Sequence, residues 1–316
     1  MKQEEMADNH KQLQNEVHAH LQGLYKNSDL SHRTGEERPL DRFLEVSGLV
    51  SDPELGLLLN GFSLRRSTRR WSEILSAASN GVFVWNREMA QKLVREGTDP
   101  VIYEGYRDIL PFRRSKGLKI HDNENIEAHI FDELLWRADL VVYTSGVFPT
   151  GELYRSVGHW NPLDEWEVFQ VCYGKAIMVC ASKDVTKQWH IEVVECGPGD
   201  IYTIKPGTWH LTYPLSDQTV IFNIYSSTIP STPIELGPFV GKYEARSHDG
   251  PELTIVQRSA QLQVVWGDGL IEAKAPFPPP NSAATLHRGE EWWMGKWFSL
   301  SSQAILEQKL VELVEV

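Results

Sequence analysis

The residues able to do chemistry gather in one stretch, Gly151-Glu-Leu-Tyr-Arg155-Ser156-Val-Gly158-His159-Trp-Asn161-Pro-Leu-Asp-Glu165-Trp-Glu167, which continues to Gly174. His159, Asn161, Glu165 and Glu167 all hold odd positions, so on an uninterrupted strand their side chains share one face. Pro162 and Leu163 break such a strand, and the argument holds within each half. A second stretch, Gly199-Asp-Ile-Tyr-Thr-Ile-Lys205-Pro-Gly207-Thr-Trp-His210, delivers another His after a tight turn. Two His and a carboxylate from two strand hairpins make a competent site for a divalent metal ion. Neutral imidazole and carboxylate suit Zn, Fe, Mn or Ni, and three ligands leave positions for substrate or water.

Those hairpins need a β framework, and the sequence supplies one from about Asp99 onward. Short β-branched and aromatic runs follow one another between Gly, Pro and Asp: Val101 to Tyr106, Leu140 to Thr144, Glu167 to Tyr173, Ala176 to Ala181, His190 to Val194, Asp200 to Ile204 and Thr219 to Tyr225. Strands at this spacing predict an antiparallel barrel or sandwich. Leu253 to Val256 and Leu262 to Trp266 read as a further pair, and Gly267-Asp-Gly269 as a turn into Leu270 to Ala275. Pro276 to Pro280 reads as an extended linker and Ser302 to Val316 as a closing helix. Before the β region the pattern is helical: an amphipathic Met1 to Tyr25, short helices over Leu44 to Leu64 and Arg70 to Ser79, and a helix over Arg87 to Glu96. That last helix has Asn86 as its N-cap and Gly97 as its stop, after a strand-like Gly81 to Trp85. The expected organisation is a helical extension over 1–98, a β-barrel over 99–240 and a C-terminal extension over 241–316.

The two chemical stretches resemble the paired motifs of the cupin superfamily. Glu167 stands six residues before Gly174 and His159 takes the first His position, as in the first motif; Gly207-Thr-Trp-His210 reproduces the end of the second, with Lys205 where Pro is usual. The resemblance covers about residues 140–227 and implies a cupin jelly-roll barrel with His159, Glu167 and His210 as metal ligands. Asn161 stands where the family has a second His and offers a carbonyl oxygen as a weaker ligand. Within cupins, Gly-Glu-x-x-x-Ser-x-Gly-His followed by Glu-Val-Phe looks most like the archaeal type of phosphoglucose isomerase. That likeness implies substrate contacts at Ser156 and Gly158, with Phe169 in place of the family's Tyr. It also implies a homodimer.

With 316 residues, 41% hydrophobic and 23% charged, the chain can bury a substantial core. A net charge of −12 argues against nucleic acid and anionic membrane surfaces as partners. Three cysteines without CxxC spacing fit a reducing compartment, and no run is apolar enough for a membrane span or signal peptide, so the expected location is cytoplasmic. Cys172 and Cys180 read as buried, inert thiols. Trp160, Trp166, Trp189 and Trp209 either wall a cavity or fill a β core. The basic clusters Arg65-Arg66-Ser-Thr-Arg69-Arg70 and Arg113-Arg114-Ser-Lys116 could bind phosphate groups or pair with acidic segments of a partner subunit but read first as solvated faces, and His121, His129, His190, His248 and His287 read as ordinary.

Three classes of function follow. The first is a metal-dependent enzyme performing proton-transfer isomerisation or epimerisation on a small polar, sugar-like or acid substrate, with Glu165 or Glu167 as base. Arg155 and Lys205 would then neutralise an anionic substrate at the barrel mouth. The second is a non-heme Fe(II) dioxygenase or a decarboxylase on the same triad. The third is a metal-free cupin that binds a small molecule.

Overall fold

The structure is a computed structural model, and it describes residues 49–52, 56–59, 62–78, 81–107, 109, 113–116, 119–120, 129–130, 133–162, 165–183, 189–228, 248–258, 261–267 and 284–287. The elements expected over Met1 to Tyr25, Leu270 to Pro280 and Ser302 to Val316 lie outside the described residues.

Strands β1 (Leu49–Asp52), β2 (Gly56–Leu59) and β3 (Phe62–Ser63) pair antiparallel where helix is expected from Leu44 to Leu64. Pro53, Gly56 and Gly61 cut this segment into pieces too short for a helix. The Arg-rich β4 (Arg65–Arg70) runs directly into α1 (Trp71–Ala77), the helix expected there. Gly81 to Trp85 is not a strand. Its polar backbone groups bond side chains instead of a ladder, Trp85 N–H donating to Glu152 and Phe83 C=O accepting from Arg155. Helix α2 (Arg87–Arg95) follows, with Asn86 at a left-handed φ of 51° and no side-chain cap bond.

The barrel is built from β5 (Val101–Arg107), β6 (Arg113–Lys116), a small pair β7 (Lys119–Ile120) and β8 (His129–Ile130), then β9 (Glu133–Thr144), β10 (His159–Trp160) and β11 (Glu167–Tyr173). It continues through β12 (Ala176–Lys183), β13 (Trp189–Cys196), β14 (Ile201–Ile204), β15 (Trp209–Pro214) and β16 (Gln218–Thr228). A separate hairpin, β17 (Leu253–Arg258) with β18 (Gln261–Trp266), lies outside the barrel, and β19 (Ala284–His287) adds to the larger of its two sheets. The larger sheet runs β19-β14-β11-β16-β9-β5-β4, with β6 also on β9; the smaller runs β10-β15-β12-β13. From β9 to β16 the chain crosses between sheets at every connection except the β12–β13 hairpin. The resulting order, β9-β16-β11-β14 against β10-β15-β12-β13, is that of an eight-stranded double-sheet jelly roll.

The larger sheet reaches past the expected 99–240 limits on both sides, since β4 lies on one edge and β19 on the other. As an edge strand β4 gains from its charge, because exposed Arg66 and Arg70 discourage pairing with another chain. Among the described residues no helix is long and apolar enough to cross a membrane.

Period two explains how β12 and β15 can be buried along their whole length. Ala176, Met178 and Cys180 belong to the core between the sheets, while Ile177, Val179 and Ala181 belong to a second core with Leu253, Ile255 and Leu262 of the β17–β18 hairpin. Trp189 and Trp209 join this outer cluster, with Trp160 packed against it and stacked on Trp189 at 5.8 Å. Of the two roles open to the tryptophans, the structure gives these three the packing one. Their indoles lie on the side of the smaller sheet away from the inner core, and that sheet needs a cover on both faces. At one end of the inner core α1 inserts Trp71, fully buried and stacked on Phe148 at 4.4 Å.

Candidate metal centre

The two His are brought together by strand register alone. β10 pairs with β15 so that His159 and His210 are direct Cα partners, and their rings meet edge to face at 4.4 Å. β10 is only two residues long. Gly158 enters it at φ +78°, where a Cβ would stand 2.8 Å from Trp209, and Pro162 follows soon after it. Glu167 opens β11 in the opposite sheet and reaches across the interior. Its Oε2 lies 3.2 Å from His210 Nε2 and 3.9 Å from His159 Nε2, while Oε1 accepts a 2.6 Å hydrogen bond from Asn223 Nδ2 on β16. Phe169 packs edge-on against His210 at 5.6 Å.

The donor atoms of His159, Glu167 and His210 all lie within 4.8 Å of one another. Glu167 is 1% exposed, and burying a carboxylate is costly unless positive charge or donors surround it. Asn223 fixes one oxygen and turns the other toward both imidazoles. Two imidazole nitrogens and one carboxylate oxygen form a donor set for a borderline divalent ion, so these residues fit the metal that the motifs imply.

The centre opens on a cavity of about 320 Å³, within the range of small-molecule sites. Its wall includes Arg69 of β4, Arg107 of β5, Glu73 of α1, Tyr103, Tyr143 and His248. Arg107 Nη1 is held by the buried Asp139 at 2.6 Å and Arg69 Nη1 by Glu73 at 2.5 Å. Burial pushes the Tyr143 phenol up, so it stays protonated and can donate a hydrogen bond.

Of the residues singled out in the sequence, the cavity gathers His159, Glu167, His210 and Ser156. Ser156 is tied to β15, its Oγ accepting from Thr212 N–H at 2.9 Å. Gly158 contributes backbone, its carbonyl bonding His248 Nδ1 at 2.6 Å. Arg155 and Lys205 are not the cavity's cations. Arg155 is 1% exposed, paired with Glu152 at 2.9 Å and bonded to Phe83 C=O, and Lys205 is half-buried in the turn after β14, off the cavity wall. Glu165 is buried off that wall as well, so it does not face the cavity as an acid or base. Asn161 is also off the wall and shapes the turn, its backbone exchanging hydrogen bonds with Thr208 and Gly207. Its buried amide has no hydrogen-bond partner among the described residues.

Arg69, Arg107, Tyr103, Tyr143, Asn223 and His248 escaped the sequence reading. The basic cluster at 65–70 held a partial signal, because period two along β4 turns Arg69 inward while Arg66 and Arg70 stay exposed. His248 lies far along the chain from either motif and gave none.

No family model matches the sequence, and no curated protein matches it. Solved structures do. An oxalate oxidase is 15% identical over 29% of this chain and 42% of that chain, with a TM-score of 0.24. KdgF from Halomonas sp. is 16% identical over 38% of this chain and 82% of that one, TM-score 0.23. The cupin domain of Cnp3 from Schizosaccharomyces pombe is 9% identical over 38% and 70%, TM-score 0.23. The chain thus spans less than half the length of the oxalate oxidase it matches. Likeness of this size says nothing about activity, and the fold stands on its own strand order. The chain is a double-sheet jelly roll whose barrel holds a largely buried His/Glu/His cluster, and part of it is similar to solved cupin structures.

Proposed function

We propose that the protein is a metal-dependent cupin-type enzyme that moves a proton on a small polar, sugar-like or acid substrate, as in isomerisation or epimerisation. The observation that carries this reading is the convergence of His159, Glu167 and His210 on one side of a 320 Å³ cavity whose wall also holds two guanidinium groups. A divalent ion bound by these three residues would supply Lewis acidity toward a carbonyl or hydroxyl oxygen, lowering the barrier to removal of a neighbouring proton. The remaining work belongs to the chain. Arg69 and Arg107 place guanidinium groups on the cavity wall, each paired with a carboxylate, Glu73 and Asp139, and suit a polar substrate. Tyr143 donates a hydrogen bond from its protonated phenol, and Asn223 holds Glu167 in place.

The test is elemental analysis by plasma mass spectrometry of untagged protein, before and after incubation with zinc, manganese, nickel and ferrous ions, beside His210→Ala and Glu167→Gln. Near-stoichiometric metal in the wild type, lost in both variants while circular dichroism stays unchanged, is the expected result. Purification with iron would turn the search toward dioxygen chemistry on the same triad. A wild-type protein that takes up none of the four ions refutes the reading and makes this cavity a binding site.

A further inference from the structure

A base free of the metal needs no ligand exchange before it takes a proton, and neither carboxylate expected as base is placed to act so. Glu165 lies off the cavity wall, and Glu167 faces His159, His210 and Asn223. We infer that His248 is the general base of this site; the inference rests on the proton-transfer reading above.

His248 lines the cavity with the triad, and its ring is buried. Nδ1 lies 2.6 Å from the carbonyl oxygen of Gly158. A carbonyl has no proton to give, so Nδ1 must be the donor, and in the neutral ring this leaves the lone pair on Nε2. A backbone carbonyl that fixes the tautomer and orients the ring does for His248 what the orienting group does in a hydrogen-bonded base pair of residues. The residue before His159 thereby positions the base, so ligand and base share one short piece of backbone.

The segment carrying His248 is tightly held. Trp160 Nε1 donates to Asp249 C=O at 2.6 Å, a Cβ on Gly81 would stand 2.7 Å from the Asp249 backbone, and one on Gly250 would stand 2.2 Å from the Trp209 indole. Such packing fixes the backbone beside His248, and the Nδ1 bond to Gly158 C=O orients the ring on it, which is what preorganisation requires. The wall's remaining carboxylate is committed elsewhere. Glu73 bonds Arg69 and the Arg70 N–H, and the two phenols, Tyr103 and Tyr143, pack against each other at 5.1 Å.

The step balances without a further reactant. His248 Nε2 takes the proton from a hydroxyl-bearing substrate carbon next to a carbonyl, and the C–H electron pair becomes a C=C bond as the carbonyl electrons move to oxygen, giving an enediolate. Return of the proton, from the same face, to the former carbonyl carbon, while the hydroxyl proton passes to the new oxyanion and its oxygen becomes the carbonyl, regenerates neutral His248 and yields the isomer.

Two measurements test the assignment. In two-bond 1H–15N spectra of labelled protein, with His248→Gln for resonance assignment, neutral His248 is expected as the Nδ1–H tautomer, unmoved by saturating zinc while the His159 and His210 signals shift. An Nε2–H tautomer, or a His248 signal displaced as a ligand, overturns the proposal. In D2O the zinc-loaded protein is mixed with a panel of small 2-hydroxy and 2-oxo acids and aldoses. Deuterium wash-in at carbon is expected to fall about 100-fold or more in His248→Gln, in kcat rather than KM, with zinc affinity unchanged. Undiminished exchange in a variant that binds zinc normally overturns the base assignment alone. A wild type without metal uptake, or without exchange on any of the panel, refutes the parent reading and the base with it.

Discussion

Asn223→Leu isolates the hydrogen bond that aims Glu167 at the two His. Asn223 Nδ2 donates to Glu167 Oε1 at 2.6 Å between side chains that are 2% and 1% exposed, so neither group has water as a substitute. A buried bond to a charged acceptor contributes about 1.5–3 kcal/mol. If Glu167 is a ligand, that energy acts on metal binding, since the carboxylate must be held with Oε2 turned toward His159 and His210. Removing such an outer partner typically weakens metal affinity 10- to 100-fold, about 1.4 to 2.7 kcal/mol, which agrees with the hydrogen-bond figure. The assay is competition for Zn2+ between the protein and a chromophoric chelator at fixed pH, on wild type, Asn223→Leu and Asn161→Leu. Asn161 is off the cavity wall, so its variant is expected to keep the wild-type affinity within about threefold. Wild-type affinity in Asn223→Leu, or an equal loss in Asn161→Leu, would refute the geometric argument.

Other outcomes follow from the same structure. Arg155→Met strands Glu152, which is 0% exposed, and should cost about 3–5 kcal/mol in urea unfolding, largely recovered in Glu152→Gln/Arg155→Met and with metal stoichiometry unchanged. Loss of metal without loss of stability in that single variant would return Arg155 to the site. Gly158→Ala places a Cβ 2.8 Å from Trp209 at φ +78° and should cost about 1–3 kcal/mol while weakening zinc binding, because the shift moves His159; a variant that melts with the wild type contradicts this. The fold should also weaken in alkali. Burial raises the Cys172 thiol from 9.0 to about 12 and also raises Cys180, Tyr143 and Tyr202, so the native state keeps protons that the unfolded chain sheds. Their stabilising effect is complete below the unfolded values and is lost as pH climbs from about 9 toward 12, which thermal melts across that range measure directly. Cysteine reagents should label none of the three thiols before unfolding, as all are buried.

How much of this was legible differs between strands and site. The strands over Val101 to Tyr106, Glu167 to Tyr173 and Thr219 to Tyr225 stood out because β-branched and aromatic residues fill them and turn residues bound them. β4 and β15 went unread, the first because its arginines mask a strand; the second does alternate, with Trp209, Leu211 and Tyr213 toward the outer core and His210 and Thr212 toward the cavity, but its His was read as the end of a turn motif. His159, Glu167 and His210 were legible because their spacing is local within each motif. Arg155 and Lys205 misled because charge near a motif does not say which way a side chain points.

The sequence by itself determined the mainly β class, the two motif segments and the identities of three potential ligands, since each depends on residues near one another in the chain. The tertiary structure decided which carboxylate meets the His pair, which cations face the cavity and that His248 joins them. Those contacts depend on strand register and on which sheet each strand enters. The pairing of His159 with His210 and the crossing of Glu167 from the opposite sheet are fixed only when the whole jelly roll closes.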